Sequence, residues 1–195
     1  MNNKEIILNI INQRKITQLI HFTKKENISS ILNNGLLSVE ELKNKNLEYK
    51  YNDPERRDDW DFAISLSITN KNHLLFNNFK NRQNLKDSDF MEIKINPSVI
   101  IENECIFCDT NAANHTFEPY RKDPEKLNDL KIWPAFDGIF KDIVIRHYQN
   151  DNGKIRRISQ KPNEPTCFQA EICLIGKILP ENFINLNELE KLQNG

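Results

Sequence analysis

No apolar run in the 195-residue chain approaches the ~20 residues that a membrane-spanning helix needs. The opening stretch MNNKEIILNIINQRK also lacks a signal peptide's uninterrupted apolar segment and small-residue cleavage site. Its Ile6, Ile7, Ile10 and Ile11 recur at helical spacing around Asn9, so it reads as an amphipathic first helix of a cytoplasmic protein. Charge of either sign is not in excess: 27 Lys and Arg face 28 Asp and Glu, a net charge of −1. That balance argues against coating nucleic acid through bulk electrostatics, and leaves room for a local basic patch. Cysteine is scarce. Cys105 and Cys108 form a CxxC, Cys167 and Cys173 lie far off, and no His stands at finger spacing. Inside the apolar ECIFCD such a pair reads as reduced, buried thiols rather than a zinc site. Internal repeats are absent, as is any low-complexity bias beyond a richness in Asn and Lys.

What remains suits one soluble domain over residues 1–195, with 38% hydrophobic and 28% charged residues and length enough for a real core. Residues 17–37, TQLIHFTKKENISSILNNGLL, organise it. Leu19, His21 and Thr23 alternate with Ile20 and Phe22, as in a strand. Thr23 with Glu26 then has the spacing of a capping box, and Ile28, Ile31 and Leu32 take up helical period before Gly35. The pattern predicts a strand feeding a short helix, with His21 and Thr23 on one side at the junction.

Ser38 and Glu41 repeat the capping-box spacing and predict a helix over 39–45. The charged, aromatic segment 47–61, LEYKYNDPERRDDWD, is long for a loop and reads as an ordered binding loop. Strands are expected at AISLSIT (63–69), around Met91–Ile95, at Cys105–Asp109 and through FQAEICLIGKI (168–178). In the last of these Phe168, Ala170, Ile172 and Leu174 share one face, and Gln169, Glu171 and Cys173 the other. Helices are expected at 72–80 and 187–193, with TNAANH turning into another. Between 119 and 165 periodicity weakens; Leu130, Trp133, Phe136 and Phe140 read as anchors of irregular structure. Positive charge gathers there at Arg146, His147, Lys154, Arg156, Arg157 and Lys161. Mixed short strands and helices without regular βαβ alternation predict an α+β fold.

Three polar groups interrupt apolar elements: His21 with Thr23, Arg56 with Arg57, and Gln169 with Glu171. A carboxylate inside an apolar strand is costly unless it is paired or opens into a cleft. Each group has a plain structural alternative: a cap, a solvated loop ion pair, an outward-facing edge residue.

Four stretches in order, LIHFTKKENISSILNNGLLS, YNDPERRDDWDFAISLSITNKNHLLF, FCDTNAAN and FQAEICLI, resemble the DarT family of ADP-ribosyltransferase toxins. The resemblance runs from about Leu19 onward, and its specificity lies in the ordered set rather than in any one motif. It implies a split-sheet α+β fold holding NAD, the co-substrate whose ADP-ribose is transferred to a nucleic-acid base. By position, His21 and Thr23 would hold the ribose and nicotinamide region with Asn27 nearby. Arg56, in the NDxxRxD of 52–58, would contact the phosphates or order its loop; Glu171 would be the catalytic glutamate. Gln169 matches the Gln-x-Glu arrangement of several ADP-ribosyltransferases, and Arg146, Arg156 and Arg157 are candidates for guiding nucleic acid. The NDxxRxD and ISLSI patterns look closer to the guanosine-modifying branch than to the thymidine-modifying one. The resemblance also implies a monomeric toxin acting on single-stranded DNA, opposed by an antitoxin with ADP-ribosyl-hydrolase activity, and no metal. Other readings stand beside it: a thymidine- or RNA-directed transferase, an NAD-independent nuclease, or a nucleic-acid-binding toxin.

Overall fold

The computed structural model describes residues 2–52, 58–147 and 152–193. Its strands are β1 (Leu19–Lys24), β2 (Ala63–Ile68), β3 (Phe90–Ile95), β4 (Glu104–Cys108), β5 (Ile143–His147), β6 (Asn152–Arg156) and β7 (Glu171–Ile175). The helices are α1 (Asn3–Arg14), α2 (Ile28–Asn34), α3 (Val39–Asn44), α4 (His73–Arg82), α5 (Val99–Glu102), α6 (Glu118–Lys122), α7 (Pro124–Leu127), α8 (Trp133–Gly138) and α9 (Leu186–Gln193).

One five-stranded antiparallel sheet in the order β3-β1-β2-β7-β4 carries the fold; β5 and β6 form a separate hairpin. The α+β expectation holds. The sheet is unevenly joined. β2 pairs with β7 from Ala63↔Ile175 to Ser67↔Glu171, but β1 meets β2 only at Leu19↔Ile68 and Ile20↔Ser67. Beyond Ile20 strand β1 leaves β2 and continues with β3 as far as Lys24↔Phe90. The sheet is split between its first and second strands.

Register assigns the faces, because directly paired residues point the same way. Leu19, Leu66, Ile68, Ile93, Ile95, Phe107, Ile172 and Leu174 share one face and meet α1, α5, α8 and α9 in the main core. Ile106, Cys108 and Cys173 occupy the other face, under Trp60, Phe117, Leu127 and Leu130. A third cluster on that second face joins Phe22 to Phe76, Phe79 and Phe90.

Local chemistry sets the elements. Asn2 and Glu5 form a capping box on α1, and Ser38 and Glu41 the expected one on α3. The box expected at Thr23 and Glu26 does not form. Strand β1 runs on through Thr23 into Lys24, and the 3-10 turn after it has no side-chain cap. Gly35 does end α2 with φ +83°, and a Cβ there would meet the Ile178 carbonyl at 2.9 Å. Residues 178–185 strap the fold. Ile178 bridges Leu36, Phe183 bridges Ile95, and Asn185 hydrogen-bonds the backbone of Lys94 and Glu92 along the β3 edge.

Three further expectations need correcting. The FQAE segment is not strand: Ala170 N–H donates to Cys167 O in a turn, and β7 begins at Glu171. Phe168, expected to share a face with Ala170, Ile172 and Leu174, is 60% exposed in that turn while those three are buried. Trp133, expected as an anchor, is 41% exposed, while Leu130, Phe136 and Phe140 are buried.

Candidate active site

A cleft of about 540 Å³ opens where β1 and β2 part. His21 and Thr23 enter it from the main-core face, and Ser65, Ser67 and Glu171 from the opposite face. Side chains on opposite faces of an intact sheet could not line one cavity; the split brings them together. Across it His21 Nδ1 donates to Ser65 O at 3.0 Å, replacing with a side chain the ladder bond that the strands no longer make.

Asn27 lines the same cleft and ties its wall. Its amide donates to Thr23 Oγ at 3.0 Å and to Lys50 O at 2.9 Å, and its carbonyl accepts from Lys50 N at 2.8 Å. Asn52 Nδ2 adds a bond to Phe22 O at 2.7 Å, so the segment before residue 53 is tied to β1 and to the entry of α2.

Glu171 is 5% exposed at the head of β7, between Ser67 on β2 and Cys108 on β4. The loop after β4 occupies both of its oxygens. Asn111 Nδ2 donates to Oε1 at 3.2 Å, and the Ala112 N–H to Oε2 at 2.9 Å. Gln169, 8% exposed, lines the cleft too, from the turn before the strand rather than from the strand itself.

The cleft thus gathers His21, Thr23, Asn27, Gln169 and Glu171. Arg56 lies outside the described residues. Arg156 is exposed on β6, and Arg146 stands opposite Gly153 in the hairpin, its side chain outside the description. Arg156 is not among the described residues that line the cleft. Arg157 donates to Glu164 O at 2.8 Å and Lys161 O at 2.7 Å, holding its own loop. Sequence reasoning assigned no role to Asn111, to the Ala112 amide, or to Ser65, Ser67 and Arg82, which also line or support the cleft. The only signal for the first two was their place in FCDTNAAN.

All four cysteines are buried thiols, none of them in a disulfide. Burial pushes the Cys105 and Cys108 thiols well above their ordinary value, which makes them poor nucleophiles. Among the described residues no cluster of three or more His, Cys, Asp and Glu could hold a metal. No described helix is long and apolar enough to cross a membrane.

A split antiparallel sheet with a buried glutamate at the head of an inner strand, facing a cleft of mixed apolar and polar lining, is an α+β arrangement of the ADP-ribosyltransferase type. The family model for DarT, described as ssDNA thymidine ADP-ribosyltransferase, matches residues 20–186, and the chain belongs to that family. No curated protein gives a match. Family membership makes the chain an enzyme that transfers ADP-ribose to single-stranded DNA.

Proposed function

We propose that the cleft binds NAD and that Glu171 directs transfer of its ADP-ribose to a base of single-stranded DNA. The observation carrying this reading is the meeting of Glu171 with His21 and Thr23 in one cavity through the split. The fit to NAD rests on the cavity itself. At about 540 Å³ it lies within the range of roughly 300–1,000 Å³ that holds small ligands. Its floor is apolar at Ile20, Ile31 and Leu66, and its walls are polar at His21, Asn27 and Ser65. Asn52 lines it with a buried Oδ1 that has no hydrogen-bond partner among the described residues, an acceptor suited to a ligand donor.

Glu171 acts on charge and on a proton. As the nicotinamide–ribose bond breaks, positive charge grows on the sugar, and a carboxylate held in place stabilises it without having to reorganise. The base nitrogen forms the new bond to the ribose carbon, nicotinamide leaves neutral, and Glu171 accepts the proton that the base gives up. His21, Thr23 and Asn27 hold the ribose and nicotinamide side. Arg56, whose guanidinium is a rigid fork for phosphate oxygens, serves the pyrophosphate. Gln169 orients the base, its amide offering a donor and an acceptor. Arg146 and Arg156 guide the strand, and Arg157 contributes by shaping its loop.

The family's description favours thymidine as the target. Guanosine is the second reading, favoured by the NDxxRxD and ISLSI patterns. Placing Gln169 in a turn removes the common strand face once expected for it and Glu171, but leaves both at the cleft. The protein acts as a monomeric cytoplasmic toxin, held in check by a partner that hydrolyses the ADP-ribosyl adduct. The test is incubation with NAD and single-stranded oligonucleotides of defined composition, read by mass. An added ADP-ribose on thymidine-only strands is expected. Addition confined to guanine strands and lost on inosine, which lacks only the N2 amine, would move the assignment to guanosine. DNA cleavage without NAD would overturn the reading as a whole.

A further inference from the structure

Glu171 does not hold itself. Its carboxylate bonds reach across to the loop after β4, and that loop is in turn held by a side chain of α6. Arg121, on α6, donates Nη1 to Ala112 O at 2.8 Å and to Asn114 O at 3.1 Å. Ala112 is therefore gripped at both ends: its N–H faces Glu171 Oε2, and its C=O faces Arg121. The residue itself is fully buried in the second core.

The rest of the loop is internally braced. Asn111 donates from Nδ2 to Glu171 Oε1 and accepts from Ala113 N with the same side chain's oxygen at 3.0 Å. Asn114 N–H returns to Asn111 O at 2.9 Å, and Asn114 Oδ1 accepts from Thr116 N at 3.0 Å and from Thr116 Oγ at 2.9 Å. Arg121 adds a hold on this loop from α6, and spends its guanidinium on two carbonyls rather than on an ion pair among the described residues.

We propose that Arg121 and Asn111 are positioning residues for Glu171: Asn111 orients the carboxylate directly, and Arg121 fixes the Ala112 peptide that holds its other oxygen. A reacting carboxylate performs only in a narrow range of orientations, so the groups that lock it contribute to rate without touching substrate. One donor reaches each oxygen, Asn111 Nδ2 at Oε1 and the Ala112 N–H at Oε2, so the orientation of the whole carboxylate is set by this loop. This inference rests on the role of Glu171 given above.

Its test is a double-mutant cycle on the full chain, with kcat and KM for NAD measured on a single-stranded oligonucleotide. Asn111→Ala and Arg121→Met are expected to lower kcat about tenfold or more while moving KM for NAD less than about twofold, since the transition state loses what binding does not. In a Glu171→Gln background the same substitutions should cost little further, because the group they position no longer reacts. Arg121→Lys, which can still donate to the carbonyls, should recover part of the loss. Full, independent losses in the Glu171→Gln background, or equal damage to kcat and to NAD binding, would reduce Arg121 and Asn111 to ordinary structural residues. If Glu171→Gln alone leaves transfer intact, the assignment of Glu171 has failed first, and this proposal falls with it.

Discussion

The two halves of the sheet are built to opposite ends. Between β2 and β7 the ladder is continuous, apolar on the main-core face, and ends at Glu171. Between β1 and β2 it stops after Ile20, and a histidine side chain crosses the gap. The joined half supplies rigidity and the carboxylate; the parted half supplies space. An unbroken sheet has no interior, and its two faces cannot cooperate on one ligand. Here the break in pairing turns both faces into one cavity, so the site is a consequence of where hydrogen bonding ends.

Perturbing each half in turn would test that division. The largest effect is expected in the joined half. Ile172 is fully buried, paired with Leu66 on one side and Phe107 on the other. Ile172→Ala should cost ~2–5 kcal/mol of stability through lost burial and a residual cavity. Denaturant melts would measure it, and KM for NAD of the folded fraction should stay unchanged. A matching rise in KM would show that the halves are not separable. The parted half should respond the other way. His21→Ala removes one bond across the split, worth about 0.5–1.5 kcal/mol, so the melting shift should be small. NAD affinity, followed by calorimetry, should fall by about tenfold, as for the loss of a polar contact of roughly 1.4 kcal/mol. Unchanged affinity would confine His21 to bracing the sheet.

The smallest effect concerns Asp109, just past β4, whose carboxyl is raised above its ordinary 3.8 mainly by burial. The folded protein thus favours its neutral form. Stability should fall as pH climbs from that ordinary value toward the raised native one, and then level off. Asp109→Asn carries no such penalty. Its melting temperature should match the wild type in acid and exceed it modestly at neutral pH. A variant less stable at neutral pH would mean that the charge is used.

How far these features were legible in the sequence follows from what side chains can signal. Ser38 and Gly35 declare helix ends by chemistry, and Glu171 stood out as a carboxylate in an apolar run. The Thr23–Glu26 spacing misled because pairing with β3 carries β1 past Thr23, whose hydroxyl instead accepts from Asn27. Alternation in FQAE imitated a strand, but Cys167 O closes a turn there and releases Phe168 to solvent. The β5–β6 hairpin escaped notice because its β-branched run Ile143-Val144-Ile145 is short and lies in weakly patterned sequence. The Ala112 amide could not have been found by residue type, since every residue but proline carries one.

The strap over residues 178–185 sets an order in time. Synthesis runs from the N-terminus, and β1, β2, β3 and β4 all emerge before it does. Yet Leu36, in the cleft wall, is bridged by Ile178, and the edge of β3 is covered by Phe183, Ile184 and Asn185. A growing chain can therefore pair its early strands well before it owns a finished cavity. For an enzyme that modifies DNA, this delays competence until translation has passed the strap, and a message broken before that point yields a chain whose cleft has one wall unsupported.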